Sequence, residues 1–371
     1  MTAVRSQATL RLAALCLAVL PGCAGTPLPT GSTATSDRYE RLDDPQGAEA
    51  YESAMRALAK GDRAAALAGL RTTIAKCPEH VRAHRLYQDL AREVGGSEAA
   101  AMLAFYKDLS ASPAAATTPL PAYLAARLAE TSYAQGNALT RLAAAHPDFA
   151  WAHFSLARVS RQQGRLQQAL DGFGRALQTG SGLHEARQER AEVLVELGRY
   201  EEAAVDYEAY LAAVAADRAA VRAYVDLLLY RLRRVDRARA LLTPLLADAP
   251  RDLELRMQMA AVRWFANQPK EALVDYLGIL ADQPTLARAA LNVGLLYYEV
   301  LPKDEAAKRL LWPKAAQAFE WFLSCGEAQD GHEQFERTVG VPYRLAKIRD
   351  LCGVLRFDDV RNLAALRWSD F

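Results

Sequence analysis

A glycine set between helix-forming stretches recurs at Gly61, Gly95, Gly164 and Gly198, at intervals of 34, 69 and 34 residues, and this spacing limits the possible folds more than any other feature. The middle interval is close to two periods. An alanine keeps the same phase at Ala66, Ala100, Ala169, Ala203, Ala238 and Ala272, and a closing proline does so at Pro78, Pro113, Pro147, Pro250 and Pro284. Between Ala150 and Leu183 the apolar residues Ala150, Phe154, Ala157, Leu166, Ala169, Leu170, Phe173, Ala176 and Leu177 fall at helical spacing on either side of Gly164. The unit is therefore two antiparallel helices. The glycine supplies a left-handed turn, and Ala169 is placed where the second helix crosses Ala157 of the first.

A helix-turn-helix period of this length, with Leu156, Ala157, Gly164, Ala169, Phe173 and Ala176 as its small and large marks, resembles the tetratricopeptide repeat family. The resemblance covers about two thirds of the chain or more. It implies an all-α tetratricopeptide-repeat α-solenoid, a right-handed superhelix of helix-turn-helix pairs closed by a C-terminal capping helix. It also implies a binding function, because the family shares no catalytic residues. In such arrays the first helix of each repeat lines the concave side. Carried onto this chain, the groove-facing positions are Leu227, Tyr230 and Arg231, then Met257, Trp264 and Phe265, then Leu291, Leu295 and Tyr298. They form an apolar, ring-rich strip for a segment of a partner protein, with core packing as the bland alternative.

The order of segments suggests where the array sits. Residues 1–23 begin with Arg5, Arg11 and no acid, run through an apolar stretch from Leu12 to Leu20, and end in Leu20-Pro21-Gly22-Cys23. This reads as a lipoprotein signal peptide, with Cys23 as the lipidation site and Pro21 as an uncommon residue for its place; ordinary signal cleavage is the alternative. Ala24 after the cysteine favours the periplasmic face of the outer membrane. Residues 24–46, rich in Pro, Gly, Ser, Thr and Asp, read as a flexible tether. Residues 47–325 hold about eight repeats, of which 115–149 lacks the turn glycine and the crossing alanine. The eighth, from 287, carries an insertion around LPKDEAAKRLLWP before its second helix near Pro313, and 326–371 supply a polar loop and a capping helix.

Charge excludes a general polyanion binder, since the full chain has a formal net charge of +1. Locally it swings: residues 184–217 carry nine acidic and three basic side chains, and 219–252 carry four acidic and seven basic. Glu185, Glu192 and Glu196 are expected on the concave side. Arg231, Arg233, Arg234, Arg237 and Arg239 surround a turn. Attraction between neighbouring repeats is the modest reading, and a polar clamp on a bound segment the sharper one.

No phosphate-binding glycine loop, nucleophile elbow or paired-histidine zinc motif is present in the sequence, so no catalytic residue, cofactor, metal or small-molecule substrate is expected. His80 and His84 have the i, i+4 spacing of metal ligands but straddle a repeat boundary. His332 and Glu333 read as solvated in a polar loop. Cys325 and Cys352 could close a disulfide loop worth about 3 kcal/mol, or each could be a small buried hydrophobe. The expected function is a membrane-anchored periplasmic scaffold that binds a peptide segment of an envelope partner. An envelope enzyme with a site in 287–371 and a purely structural spacer are the alternatives.

Overall fold

A computed structural model describes residues 38–180, 182–215, 217–326 and 331–353, and within them every regular element is helical. The helices alternate as eight hairpins. The first pairs Pro45–Ala59 with Arg63–Lys76, the second Val81–Val94 with Gly96–Ser110, and the third Pro119–Arg127 with Ser132–Ala145. The fourth pairs Ala150–Gln162 with Leu166–Thr179, and the fifth His184–Glu196 with Tyr200–Ala213. In the sixth, Arg218–Asp226 runs into a π-helical turn, Leu227–Arg231, before Val235–Asp248. The seventh pairs Leu253–Phe265 with Pro269–Asp282. The eighth joins Ala287–Leu295, with its own π turn Leu296–Val300, to the long helix Glu305–Ser324. The chain is thus an all-α array of tetratricopeptide type.

The turn residue has the same backbone in most hairpins. Gly61, Gly164 and Gly198 have φ of 76°, 72° and 74°, and the equivalent positions in the sixth and seventh hairpins hold Arg233 at 56° and Asn267 at 61°. A side chain in the left-handed region costs on the order of 1 kcal/mol, which glycine avoids. Arg233→Gly and Asn267→Gly should therefore each raise stability by about 0.5–1 kcal/mol in urea unfolding. The larger gain is expected at Arg233, since asparagine tolerates this conformation better.

Most crossing alanines are buried, as at Ala66, Ala169, Ala203, Ala238 and Ala272. Ala100 is exposed, because Gly95 is the only residue between the two helices of the second hairpin and the second helix starts early. Glycines also stand at these crossings: a Cβ on Gly172 would lie 2.8 Å from that of Ala157, and one on Gly69 would lie 2.9 Å from that of Ala54 in the first hairpin. Behind these crossings the core divides into three clusters, spanning Tyr39 to Val193, Ala191 to Val262 and Met257 to Ile348.

The step of 35 from Ala203 to Ala238 has a structural cause. First helices start at His184, Arg218, Leu253 and Ala287, while turn residues stand at Gly198, Arg233 and Asn267, so the additional residue falls between Arg218 and Arg233. It is absorbed by the π turn, closed by Leu232 N–H donating to Leu227 O at 3.0 Å.

Several expectations change. The tether expected over 24–46 does not extend to its end: Arg38–Glu40 is a 3₁₀ turn with Tyr39 buried, and Asp44 caps the helix that begins at Pro45 by accepting from Gly47 N–H at 2.9 Å. Its Asp-Pro composition is helix-start chemistry. The insertion after residue 300 is not a loop, because Asp304 caps a helix that continues through Pro313 to Ser324. Glu333 is buried, 3.9 Å from Arg337 within the turn of helix that follows the eighth hairpin, and is not solvated. Val341–Cys352 packs on the long helix of the eighth hairpin. Cys23, the signal segment 1–23 and residues 24–37 and 354–371 lie outside the described residues. No helix among those described is long and apolar enough to cross a membrane.

Candidate binding surface

First helices of hairpins far apart in sequence touch one another, which places them on the inside of the curve. Arg82, near the start of the second hairpin, reaches Glu185 at the start of the fifth: its Nε donates to Oε1 at 2.7 Å and its Nη2 to Oε2 at 2.9 Å. The same Nη2 donates to Gly182 O at 2.8 Å. Arg82 also pairs with Glu40, whose other oxygen accepts from Trp151 Nε1 at 2.9 Å. Further along, Arg161 binds Glu189, Glu192 and Glu196, and Arg127 binds Asp89. The concave acids Glu185, Glu192 and Glu196 are therefore neutralised by arginines of other hairpins. Beside a turn, Arg234 and Arg237 pair with Glu201 and Glu208 of the preceding hairpin, as mutual attraction between repeats requires. No sequence periodicity pointed to Arg82, Arg85, Arg127, Arg158 and Arg161; their common place on first helices was the available signal.

One guanidinium thus faces two carboxylates. Burial works against Glu185 too, but hydrogen bonds and charge from Arg82 outweigh it and hold its carboxyl below the usual range. Glu40 is pushed up to about 7, chiefly by burial, with Arg82 opposing and Glu185 adding repulsion. A carboxyl raised in the folded state contributes stability that is complete below its unfolded value near 4.5 and is lost as pH climbs through about 7. Glu185 acts in the opposite sense, losing its contribution only as pH falls through its lowered value. Relative to Glu40→Gln, wild type should lose up to about 3 kcal/mol between about pH 5 and about pH 8 in paired urea titrations. A pH-independent difference would remove the coupling.

The predicted strip in hairpins six to eight divides. Leu227, Met257 and Leu291 are only 3%, 7% and 2% exposed and belong to the core, so they are not available to a partner. For Leu227 the reason is register: the extra residue is absorbed after Asp226, and Asp226 takes the exposed place. Met257 and Leu291 sit inside the third cluster. Tyr230 remains 53% exposed and meets Phe265 edge-on at 4.9 Å between ring centres. Trp264, Leu295 and Tyr298 are half-buried against the third cluster, and Tyr298 stacks on Trp312 at 4.8 Å. Trp312 was missed because it lay in the supposed insertion. Arg231 is exposed and lies over the Tyr200 ring at 5.6 Å. Although Asp226 is exposed, the protein packed around its carboxyl strips part of its hydration and pushes it up to about 6 against the pull of Arg222 and Arg288.

Other candidate groups have local roles. His80 Nδ1 accepts from Ala83 N–H at 3.3 Å and so caps its helix. His84 Nε2 donates to Pro78 O at 2.9 Å, which leaves Nδ1 to accept from the Tyr106 hydroxyl at 2.9 Å. His153 Nε2 repeats the bond to Pro147 O at 2.9 Å two periods on. Burial drives both His80 and His84 down to about 4, so they are neutral donors and acceptors of structural bonds. Cys325 and Cys352 are not joined to each other in a disulfide, and both pack with the third cluster. A cavity of about 600 Å³ opens at the other end of the array, walled by Ile74, Tyr87, Phe105, Leu109 and Leu120. It lies where the third hairpin's first helix is shortened to nine residues.

No family model matches the chain, and no curated protein does. Among solved structures it is similar to YrrB, described as a tetratricopeptide repeat protein with an unusual peptide-binding site, at 20% identity and a TM-score of 0.40, over 54% of this chain and 97% of that one. A tetratricopeptide repeat protein from Parabacteroides merdae aligns at 16% identity and a TM-score of 0.39, over 82% and 99% of the two chains. Pseudomonas aeruginosa pilF aligns at 16% identity and 0.38, over 58% and 96%. These values assign no function; the repeat architecture rests on this chain's own hairpins.

Proposed function

We propose that the array is a protein-interaction scaffold whose trough in hairpins six to eight takes a segment of a partner protein. The exposed Tyr230 ring, held edge-on by Phe265 of the next hairpin, is the observation that carries this reading. Two aromatic rings on neighbouring first helices offer contact area with few rotatable bonds, and Asp226 beside them supplies a charged anchor. Trp264, Leu295 and Tyr298 extend the apolar wall, while Tyr298 is braced from behind by Trp312. We place the scaffold on the periplasmic face of the outer membrane, anchored through a lipidated Cys23, with an envelope protein as partner. The apolar stretch ending in Leu20-Pro21-Gly22-Cys23 supports this placement.

The test is photo-crosslinking from the exposed position 231 in cells. The double substitution Tyr230→Ala/Phe265→Ala should reduce capture of the crosslinked partner at least about ten-fold while far-ultraviolet circular dichroism stays unchanged. Equal crosslinking by the variant would refute the trough. Cys23→Ala should shift the protein from the membrane to the soluble fraction, and unchanged sedimentation would refute the anchor.

A further inference from the structure

We infer that the niche between Arg82, Phe149 and Trp151 is a receptor for an aromatic residue followed by a carboxylate, and that the chain fills it in cis with its own Tyr39 and Glu40. The receptor belongs to the folded array. Arg82 comes from the second hairpin, Phe149 and Trp151 from the fourth, and the niche is closed by Gly182 and Leu183 before the fifth. The occupant comes from outside the hairpins, in the short turn Arg38–Glu40 that precedes the first of them.

Each half of the pair has its own seat. The Tyr39 ring is buried and meets Phe149 edge-on at 4.9 Å and 76°. Glu40 accepts from Trp151 Nε1 at 2.9 Å and pairs with Arg82. The fit is close: the space left beside them is about 10 Å³, and a Cβ on Gly182 would sit 3.5 Å from Glu40 Cγ. Arg85 adds a second guanidinium, 4.5 Å from the Trp151 ring centre, and its Nε is buried with no hydrogen-bond partner. The niche therefore offers one indole donor and a guanidinium to the oxygens of an acidic side chain, with a second cation behind.

The cis occupant is held in a way that permits exchange. The two-pronged hydrogen bonding of Arg82 goes to Glu185, and Glu40 takes only the remaining nitrogen. A buried carboxylate that shares its cation with a second carboxylate gains less than its desolvation costs. A segment of another protein with Tyr or Phe followed by Glu or Asp can make the same contacts without having to order this chain's N-terminal turn. The inference is independent of the trough in hairpins six to eight, because it concerns a different rim and different residues.

The probe is a fluorescent synthetic peptide copying residues 38–44, Arg-Tyr-Glu-Arg-Leu-Asp-Asp. Anisotropy would be measured on the full chain and on Tyr39→Ala/Glu40→Ala, in which the niche is vacated and Tyr230 and Phe265 are intact. The vacated variant should bind the probe at least about ten-fold more tightly than wild type. Adding Trp151→Phe, which removes the indole donor and shrinks the ring, should return about ten-fold of that gain, and a probe carrying Tyr39→Ala should bind about ten-fold more weakly. If the vacated variant does not fold, Tyr39→Ala alone empties the ring's seat, and it should still bind the wild-type probe more tightly than the parent does. A fully or partly vacated variant that keeps its helicity and binds the probe no better than wild type would overturn the inference and leave the turn a structural staple. So would equal binding of the Tyr39→Ala probe.

Discussion

Arg190→Ala should lower the unfolding free energy by about 3–5 kcal/mol, the largest loss expected from any single ion pair among the described residues. Asp206, on the second helix of the fifth hairpin, is 1% exposed, and Arg190 on the first helix binds it with two parallel bonds, Nε to Oδ2 and Nη2 to Oδ1, both 2.6 Å. Arg187 stands 4.0 Å away, too far to replace either bond. Removing the guanidinium takes away both hydrogen bonds and the counter-charge from a carboxylate buried inside the hairpin. The pair as a whole contributes far less than this loss, because bringing both charges out of water opposes it. Arg190→Met/Asp206→Leu should accordingly unfold within about 1–2 kcal/mol of wild type. A double substitution as damaging as Arg190→Ala would show that the pair itself, and not the abandoned charge, sets the cost.

A second large effect is expected where the eighth hairpin crosses. Gly294 lies on its first helix, and an added Cβ would come 2.4 and 2.5 Å from Cε1 and Cδ1 of Phe319, a fully buried ring on the second helix. Phe319→Ala should cost about 3–5 kcal/mol as a cavity in the third cluster. Gly294→Ala gains up to about 1 kcal/mol of helix propensity, but overpacking against a ring that cannot move costs about 1–3, so a net loss is expected. The two should couple. In the double variant the new methyl occupies space the ring has left, so its cost should be below the sum of the single losses by about 1 kcal/mol or more. Additive losses in chemical unfolding would mean that glycine is not there to admit the ring.

What could be read in the sequence depended on how local the responsible physics is. A left-handed turn at Gly164 and a close crossing in the same hairpin are decided within one repeat, so they recur and leave a visible period. The contact of Arg82 with Glu185 joins residues 103 apart, and Trp151 reaches Glu40 across 111; no window of one repeat contains both partners. The N-terminal turn was for that reason read as tether. The exposed rings were partly legible: Tyr230 and Phe265 do meet at the surface, whereas Leu227 was misassigned because one extra residue is hidden in a π turn that changes the phase of a single helix. Trp312 and Glu333 were lost to a related error, in which polar or proline-containing sequence that forms helix was taken for loop.

The bridge from the second hairpin to the fifth also bears on how the molecule comes apart. In a linear stack each unit leans only on its neighbours, so melting frays from an end and spreads one unit at a time. Here Arg82 and Glu40 fasten units that are not adjacent, and one apolar cluster runs from Tyr39 to Val193. The first five units should consequently melt together in one cooperative step, and the last three, without such a clasp, should open at lower denaturant in hydrogen-exchange profiles. If the chain is anchored ahead of Arg38, a pull on that anchor meets the clasp before it meets any helix.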